Sequence, residues 1–169
     1  NNSIKVNLLI RVKSTKTHVR WSNMDGPLKN LLVVDLTRVL VGPYCTMILS
    51  DLGARVIKVE APEIGDDSRK FGPFIKDYSA YFMSLNRGKE SIALNLKNNK
   101  EDKKIFDKIL SKADILVENF KPGTLEKWGF GWKDINKKYP KLIYASASGF
   151  GQTGPLLSLI HIWRCRRVG

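Results

Sequence analysis

The chain has 169 residues, about the length of one domain, and its 43% hydrophobic and 27% charged residues are typical of a globular protein without a membrane span. Two cysteines, Cys45 and Cys165, are too few for a disulfide framework or a metal site, and they fit a reducing cytoplasm. The net charge of +13 is concentrated disproportionately in the two ends, and without an aromatic-and-basic RNA signature we do not expect a nucleic-acid-binding protein.

Residues 1–23 come before the first predicted element. They contain five Lys or Arg residues, no acidic residue and no periodic pattern. We expect a non-native or disordered upstream extension, and an organelle transit peptide is the alternative. Met24 resembles a translation start, because "MDGPLKNLLVVDL" leads directly into a strong strand.

The first predicted strand covers residues 31–36, an apolar run that includes Asp35 near its end, as in a buried parallel strand. A helix follows, with Pro43 in its first turn and Gly53 just beyond its last. Cys45 is expected to pack on the buried side of this helix. The apolar face of the helix consists of Tyr44, Met47, Ile48 and Leu52.

Residues 55–61 alternate as a second strand. Residues 62–78 are rich in Gly, Pro and Asp and predict an exposed loop. The stretch "SAYFMSLNRGK" predicts a short helix that ends at Gly88, and residues 91–96 form the third predicted strand.

The second half of the middle region continues the alternation of helices and strands. The segment "NKEDKKIFDKILSKA" predicts an amphipathic helix with lysines outside and four apolar side chains inside, which are Ile105, Phe106, Ile109 and Leu110. Residues 114–120 predict a fourth strand, "TLEKWG" and "WKDINKKYP" two short helices, and residues 141–148 a fifth strand.

Alternating strands and helices predict an α/β fold with a Rossmann-like parallel sheet flanked by helices. In such sheets ligands bind beyond the carboxyl ends of the strands. Three polar clusters are predicted to lie there: "LTRVLVGP", "NLK" and "ENFKPG".

The segment "GFGQTG", residues 149–154, fits the spacing of a dinucleotide-binding loop. That motif also needs a helix directly afterwards and an acidic residue about 20 positions further on, and Pro155 follows here instead. We therefore interpret the segment as a flexible hinge rather than a nicotinamide or flavin site. Residues 156–169 break the composition abruptly, and we expect a non-native tail of artefactual origin; a basic amphipathic tail is the alternative.

Four segments resemble the amino-terminal part of the class III coenzyme A transferases (CaiB/BaiF type): "VVDLTRVLVGPYCTMILSDLGARVIKVEAP", "NRGKESIALNLK", "ADILVENFKPGTLEKWGF" and "LIYASASGFGQTGP". That family includes formyl-CoA and carnitine CoA transferases and 2-methylacyl-CoA racemases. The resemblance runs from about Met24 to Pro155, so residues 24–155 are expected to be an incomplete domain of this family. It implies an interlocked homodimer, acyl-CoA and a carboxylic acid as substrates, no permanently bound cofactor and a cytoplasmic location.

The resemblance also implies a coenzyme A site. The matching positions are Leu40, Val41, Leu94, Asn95, Leu96, Lys97, Asn119, Phe120, Lys121 and Lys127. Physically, Lys97, Lys121 and Lys127 can bind phosphates, Phe120 can cover the adenine or the pantetheine arm, and Asn119 can pair with an amide. The alternative is that Phe120 belongs to the core and the lysines are only solvated.

Two further points concern charged side chains near strand ends. A family arginine that follows the second strand corresponds to Ala61, which weakens a phosphate contact there, although Lys58 is close in sequence. Asp35 and Glu60 could form an acid–base pair, but we expect them to hydrogen-bond to neighbouring loops.

In the transferases an aspartate attacks the acyl-CoA thioester, which forms a mixed anhydride and releases CoA thiolate. The thiolate then attacks the anhydride, which releases the donor acid and leaves CoA bound to the aspartate. The acceptor acid then takes over the CoA, and no metal is needed. The racemases instead move an α-proton with a His and Asp pair. The resemblance implies that the aspartate follows "GFGQTGP", and residues 156–169 contain no acidic residue. We therefore assign no catalytic residue and expect the chain as given to be inactive. The alternatives to a transferase are a racemase of the same family or a CoA-binding fragment without catalysis.

Overall fold

A computed structural model describes residues 26–149 and 151–153 of the protein. In chain order its elements are β1 (Leu32–Asp35), α1 (Val41–Asp51), β2 (Arg55–Glu60), a 3-10 helix (Asp67–Lys70), β3 (Phe74–Ile75), β4 (Tyr78–Ser79), α2 (Ala80–Asn86), β5 (Glu90–Ala93), α3 (Lys100–Leu110), β6 (Ile115–Glu118), α4 (Thr124–Trp128), α5 (Trp132–Lys138) and β7 (Ile143–Ser146). No helix among these residues is long and apolar enough to cross a bilayer.

The central sheet has five parallel strands in the order β5–β2–β1–β6–β7. This result confirms the predicted α/β fold with a parallel sheet flanked by helices. The chain moves from β1 outward through β2 to β5, and then crosses to β6 on the other side of β1. The order therefore reverses between β1 and β6, and such a reversal opens a crevice at the carboxyl ends of the two strands.

Both faces of the sheet are buried. Neighbouring residues of a strand point to opposite faces, and each face contributes to an apolar cluster. Val34 and Leu116 belong to a large apolar cluster that also contains Phe106 of α3. Val33 and Val117 belong to a smaller cluster on the other face, which Leu49 of α1 contacts. For this reason the inner strands β1 and β6 are apolar except for the carboxylate at their ends, Asp35 and Glu118.

Helix ends follow from local chemistry. The Asn99 side chain accepts hydrogen bonds from the backbone N–H groups of Glu101 and Asp102 and so caps the start of α3. The predicted inward face of α3 is confirmed, since its apolar side chains belong to the large cluster or pack against it. Gly53 follows the end of α1 with φ of 100°, a left-handed conformation that favours glycine.

The structure corrects the predicted packing of α1. Of its predicted inward face only Met47 is buried, and the exposed residues instead form a stripe that consists of Val41, Tyr44, Cys45, Ile48 and Leu52. Cys45 is therefore exposed, not a packing residue. The buried side of α1 carries small and polar residues such as Thr46 and Ser50, because this side faces a polar network at the sheet edge.

The segment 62–78 is more ordered than a simple exposed loop. It contains the 3-10 helix and the β3–β4 hairpin, and Asp66 and Ser68 are buried within it. The Asp66 side chain accepts a hydrogen bond from the backbone N–H of Ser68, which caps the 3-10 helix. Residues 62–64 and 70–78 match the expected exposure throughout.

Candidate functional site

The carboxyl ends of the sheet strands lie along one edge of the molecule, because all five strands run the same way. Asp35 is paired in register with Lys58 on one side and Val117 on the other, and Ala93 is paired with Glu60. The loops after β5, β1 and β6 therefore start from the same edge. The outermost two of these loops are three strand spacings apart, about 14 Å.

The loop between β1 and α1 is held mainly by side chains. The Asp35 carboxylate accepts from the Thr37 N–H at 2.8 Å, and Lys58 Nζ donates to the Thr37 carbonyl at 2.7 Å. Asn119 accepts from the Arg38 N–H at 2.8 Å and donates to the Arg38 carbonyl at 2.9 Å. The Asp66 carboxylate accepts from the Val39 N–H at 3.1 Å. The backbone N–H and carbonyl groups of this loop therefore form hydrogen bonds with side chains from three other parts of the chain.

Val39 itself has φ of 70°, which is a strained conformation for a β-branched residue. The following helix also packs tightly on this loop. A Cβ placed on Gly42 would lie 2.3 Å from the Thr37 Cβ, so only glycine fits against the loop at this position.

Two buried ion pairs lie beneath the loop. Lys89 Nζ is 3.0 Å from the Asp35 carboxylate, and Lys58 Nζ is 2.9 Å from the Asp66 carboxylate. Burial alone would raise the pKa of Asp35, but the charges of Lys58 and Lys89 outweigh it and hold that pKa below its usual value. Burial lowers the pKa of Lys89 to about 8 despite the opposing charge of Asp35. Removing either member of one of these pairs would leave a buried charge without compensation, so the two lysines and two carboxylates are needed together.

The network settles two earlier expectations. Asp35 and Glu60 do hydrogen-bond to neighbouring elements, as predicted: Glu60 accepts from Arg69 at 2.6 Å and from the Ser91 hydroxyl at 3.0 Å. The suggestion that Lys58 replaces the missing arginine beside Ala61 as a phosphate ligand is wrong. The Lys58 side chain is only 1% exposed and is paired with Asp66, so it cannot meet a ligand from solvent.

The stretch after β6 is fixed by Glu118. Its carboxylate accepts from the Phe120 N–H at 2.7 Å and from the Ser146 hydroxyl of β7. Burial raises the pKa of Glu118, although the Ser146 hydrogen bond opposes the shift. The Phe120 ring is half-buried and packs edge to face on Trp128 with ring centroids 5.2 Å apart. Phe120 therefore belongs partly to the core.

The predicted site residues fall into two groups. One group is exposed at the edge and consists of Leu40, Val41, Lys97, Lys121 and Lys127. Within the described part of the chain none of these three lysines forms an ion pair. The other group is turned inward or engaged with the protein. Leu94 and Leu96 are core residues, and Asn95 accepts from the Asn98 N–H. Asn119 is paired with the Arg38 backbone, and Phe120 packs on Trp128.

Several residues that build this edge were not among the predicted site residues. Arg38, Asp66 and Lys89 hold the loops, but no motif in the sequence shows which of the charged residues around them do so. One signal was available for Lys58, which follows Val56 at the strand period and so had to be buried with a partner. The segment "GFGQTG" and the two ends lie wholly or partly outside the described residues. Among the described residues no cluster of side chains could hold a metal ion.

Comparison with known sequences identifies relatives of the chain. The profile of CoA-transferase family III matches residues 28–159. The chain is 57% identical over 131 residues to the acetyl-CoA:oxalate CoA-transferase of Acetobacter aceti, which covers 78% of this chain and 33% of that protein. It is 50% identical over 135 residues to the human succinyl-CoA:glutarate CoA-transferase, covering 79% of this chain and 31% of that protein. The chain thus spans about a third of the length of these relatives.

Solved structures agree with the sequence relatives. A crystal structure of a CaiB/BaiF family protein from Brucella suis superimposes with a TM-score of 0.74 at 42% identity, over 79% of this chain and 36% of that one. A protein from Mycobacterium tuberculosis gives a TM-score of 0.73 at 39% identity, over 80% of this chain and 37% of that one. The chain therefore belongs to CoA-transferase family III.

Proposed function

We propose that the chain is part of an enzyme that transfers coenzyme A from an acyl-CoA to a carboxylic acid. The observation that carries this proposal is the family match across the loops that leave one edge of the sheet. Leu40 and Val41, Leu94 to Lys97, and Asn119 to Lys121 all follow carboxyl ends of strands there, with Lys127 on α4 close behind. Coenzyme A is long enough to contact loops about 14 Å apart.

Direct contacts are assigned to the exposed members of this set. Lys97, Lys121 and Lys127 supply positive charge that no carboxylate of the described residues pairs with, which suits the phosphates of coenzyme A. Leu40 and Val41 supply apolar surface for the pantetheine arm. Leu94 and Leu96 contribute through the backbone of the loop that their side chains anchor in the core.

The reacting carboxylate is assigned to a part of the protein beyond the described residues. Each buried carboxylate at this edge is already engaged: Asp35 by Lys89, Glu60 by Arg69, Asp66 by Lys58, and Glu118 by Phe120 N–H and Ser146. A carboxylate held in this way is a weak nucleophile. We therefore propose that the 169-residue chain binds coenzyme A without transferring it, and that transfer through an aspartyl intermediate belongs to the protein at the length of its relatives.

The acceptor is proposed to be a small dicarboxylic acid. The names of the relatives reported above specify oxalate and glutarate, and a further relative from Haloarcula marismortui, 50% identical, is a succinyl-CoA:mesaconate CoA-transferase. These names favour a transferase over a 2-methylacyl-CoA racemase.

A homodimer is part of the proposal. The exposed stripe of α1 supports it, because Tyr44 is 52% exposed and Ile48 is 40% exposed on the surface of a folded domain. A continuous apolar helix face of this kind marks an interaction surface.

The test is a titration of the purified chain with coenzyme A by calorimetry, paired with an assay of CoA transfer from succinyl-CoA to oxalate or glutarate. We expect binding and no turnover. The double variant Lys97→Ala, Lys121→Ala should weaken binding about tenfold, whereas Lys104→Ala, on the outer face of α3, should not change it. A chain that does not bind coenzyme A contradicts the proposal, and turnover by the chain contradicts the placement of the nucleophile.

A further inference from the structure

The loop of residues 37–39 is held in its conformation by side chains from elements that are distant in sequence. Asn119 pairs with both backbone groups of Arg38, Asp66 accepts from the Val39 N–H, and Lys58 donates to the Thr37 carbonyl. These side chains come from the end of β6, the segment after β2, and β2 itself. We call Asn119, Asp66 and Lys58 the loop clasp.

The clasp acts on a strained residue. Val39 has φ of 70°, and a β-branched side chain disfavours this left-handed conformation. Without the clasp, the backbone of Val39 would relax to negative φ, and Leu40 and Val41 would move with it. The clasp therefore offsets a local cost, and residues held against strain in this way are typical of ligand-binding loops.

The Asn119 side chain is committed on both its oxygen and its nitrogen to the backbone of Arg38, which leaves one N–H and one oxygen lone pair for any other contact. Its oxygen accepts from Arg38 N–H at 2.8 Å and its nitrogen donates to the Arg38 carbonyl at 2.9 Å. The two hydrogen bonds join the loops after β1 and β6, which border the crevice where the strand order reverses.

We propose that Asn119, Asp66 and Lys58 are positioning residues that hold residues 37–39 in the conformation that binds coenzyme A, and that Asn119 acts through this loop rather than by touching the ligand. This inference rests on the proposed function. In physical terms, a binding-competent loop that is only partly populated lowers the apparent affinity by the fraction populated.

The test uses the whole chain, calorimetric titration with coenzyme A, and a rescue by glycine. Asn119→Ala should weaken binding about tenfold, because the loop relaxes. Val39→Gly in the same chain should restore binding to within about threefold of the unmutated protein, because glycine adopts positive φ without strain. Val39→Gly alone is the reference for this rescue: the double variant should bind coenzyme A as tightly as Val39→Gly does, because the clasp then has no strain to offset.

Lys121→Ala is the matched control. This exposed neighbour of Asn119 is assigned to direct phosphate contact, so Val39→Gly should not rescue it. Amide hydrogen exchange provides a second readout: the Arg38 and Val39 N–H groups should lose protection in Asn119→Ala, with the thermal transition of the domain retained.

Three results would overturn the inference. If the glycine substitution leaves Asn119→Ala as weak as before while the unmutated chain binds, then Asn119 contacts the ligand directly. Unchanged protection of Arg38 and Val39 in Asn119→Ala would show that the clasp does not hold the loop. An unmutated chain that fails to bind coenzyme A would overturn the proposed function and this inference with it.

Discussion

Lys89 places a buried ammonium group beneath the sheet edge. Its side chain is 1% exposed, and its ammonium group contacts the Asp35 carboxylate, the Pro43 carbonyl and the Asn86 side-chain oxygen. Three acceptors satisfy its three protons, but the pKa of Lys89 is still lowered because burial disfavours the charged form. The residue joins β1, α1 and α2 at a single point.

This burial predicts a specific pH dependence. Because the pKa of Lys89 is about 8 in the folded chain and 10.5 ordinarily, the unfolded chain binds more protons between these two values. The contribution of Lys89 to the free energy of unfolding should therefore rise as the pH increases from 8 to 10.5, by an amount on the order of 3 kcal/mol. Urea unfolding across this range should show a steeper rise for the unmutated chain than for Lys89→Met. Equal slopes would contradict the assignment, and a Lys89 Cε resonance that titrates above pH 10 would do so independently.

For single residues, the sequence alone shows which charged side chains are present but not which of them form ion pairs. Lys58 and Lys89 occur 31 positions apart, and nothing in either neighbourhood identifies Asp66 or Asp35 as the paired carboxylate. Pairing is decided by which strands become neighbours, and that is a property of the folded sheet. The exposed lysines of the candidate site were predictable because the family pattern covers them.

Among the elements, α3 is the clearest case in which local sequence decides the structure. Its start is set by Asn99, and its acidic first turn, Glu101 and Asp102, complements the positive end of the helix. Asp102 also accepts from the Asn95 N–H at 2.7 Å, which ties the candidate loop after β5 to the helix.

Removing the cap should weaken this helix measurably. Asn99→Ala leaves the N–H groups of Glu101 and Asp102 without their acceptor, so we expect a loss of about 1 kcal/mol in the free energy of unfolding. Asn99→Asp keeps an acceptor oxygen and should lose less than half of that amount. Chemical denaturation of the two variants at pH 7 provides the comparison. A loss of the same size in both would show that the cap does not stabilise α3.

The strands and α3 were predictable because an apolar run or a helical period is set by burial against the chain's own core. Two parts of the fold were not fully predicted, for different reasons. One is the segment 62–78, where the hairpin strands have two residues each and the 3-10 helix has four, too short for a pattern. For α1, the helix was predicted, but most side chains of its apolar face are exposed. Periodicity shows that a helix has an apolar face, not what covers that face.

Among the described residues, exposed apolar side chains are concentrated in two places, although Trp132 and Ile143 are exposed elsewhere. One is the stripe of α1, and the other surrounds the hairpin, where Phe74, Ile75 and Tyr78 are each more than half exposed. Exposed apolar area of this extent is unusual for a monomer and favours association.

Charging the stripe should therefore reduce self-association. We expect the unmutated chain to sediment with an average mass that rises with concentration, and Tyr44→Ser, Ile48→Lys to remain closer to the 19.2 kDa of one chain. Lys104→Ser, Lys108→Ser on the outer face of α3 is the matched control and should sediment like the unmutated chain. A concentration-independent monomer before any substitution would rule out the stripe as an association surface.

The close fit between Gly42 and Thr37 also limits how this protein can be recombined with its relatives. The 2.3 Å that would separate a Cβ on residue 42 from the Thr37 Cβ leaves room for a hydrogen atom and nothing larger. A segment taken from another parent therefore has to carry glycine at position 42 wherever Thr37 is kept. A chimera with any larger residue there would push the loop after β1 and helix α1 apart.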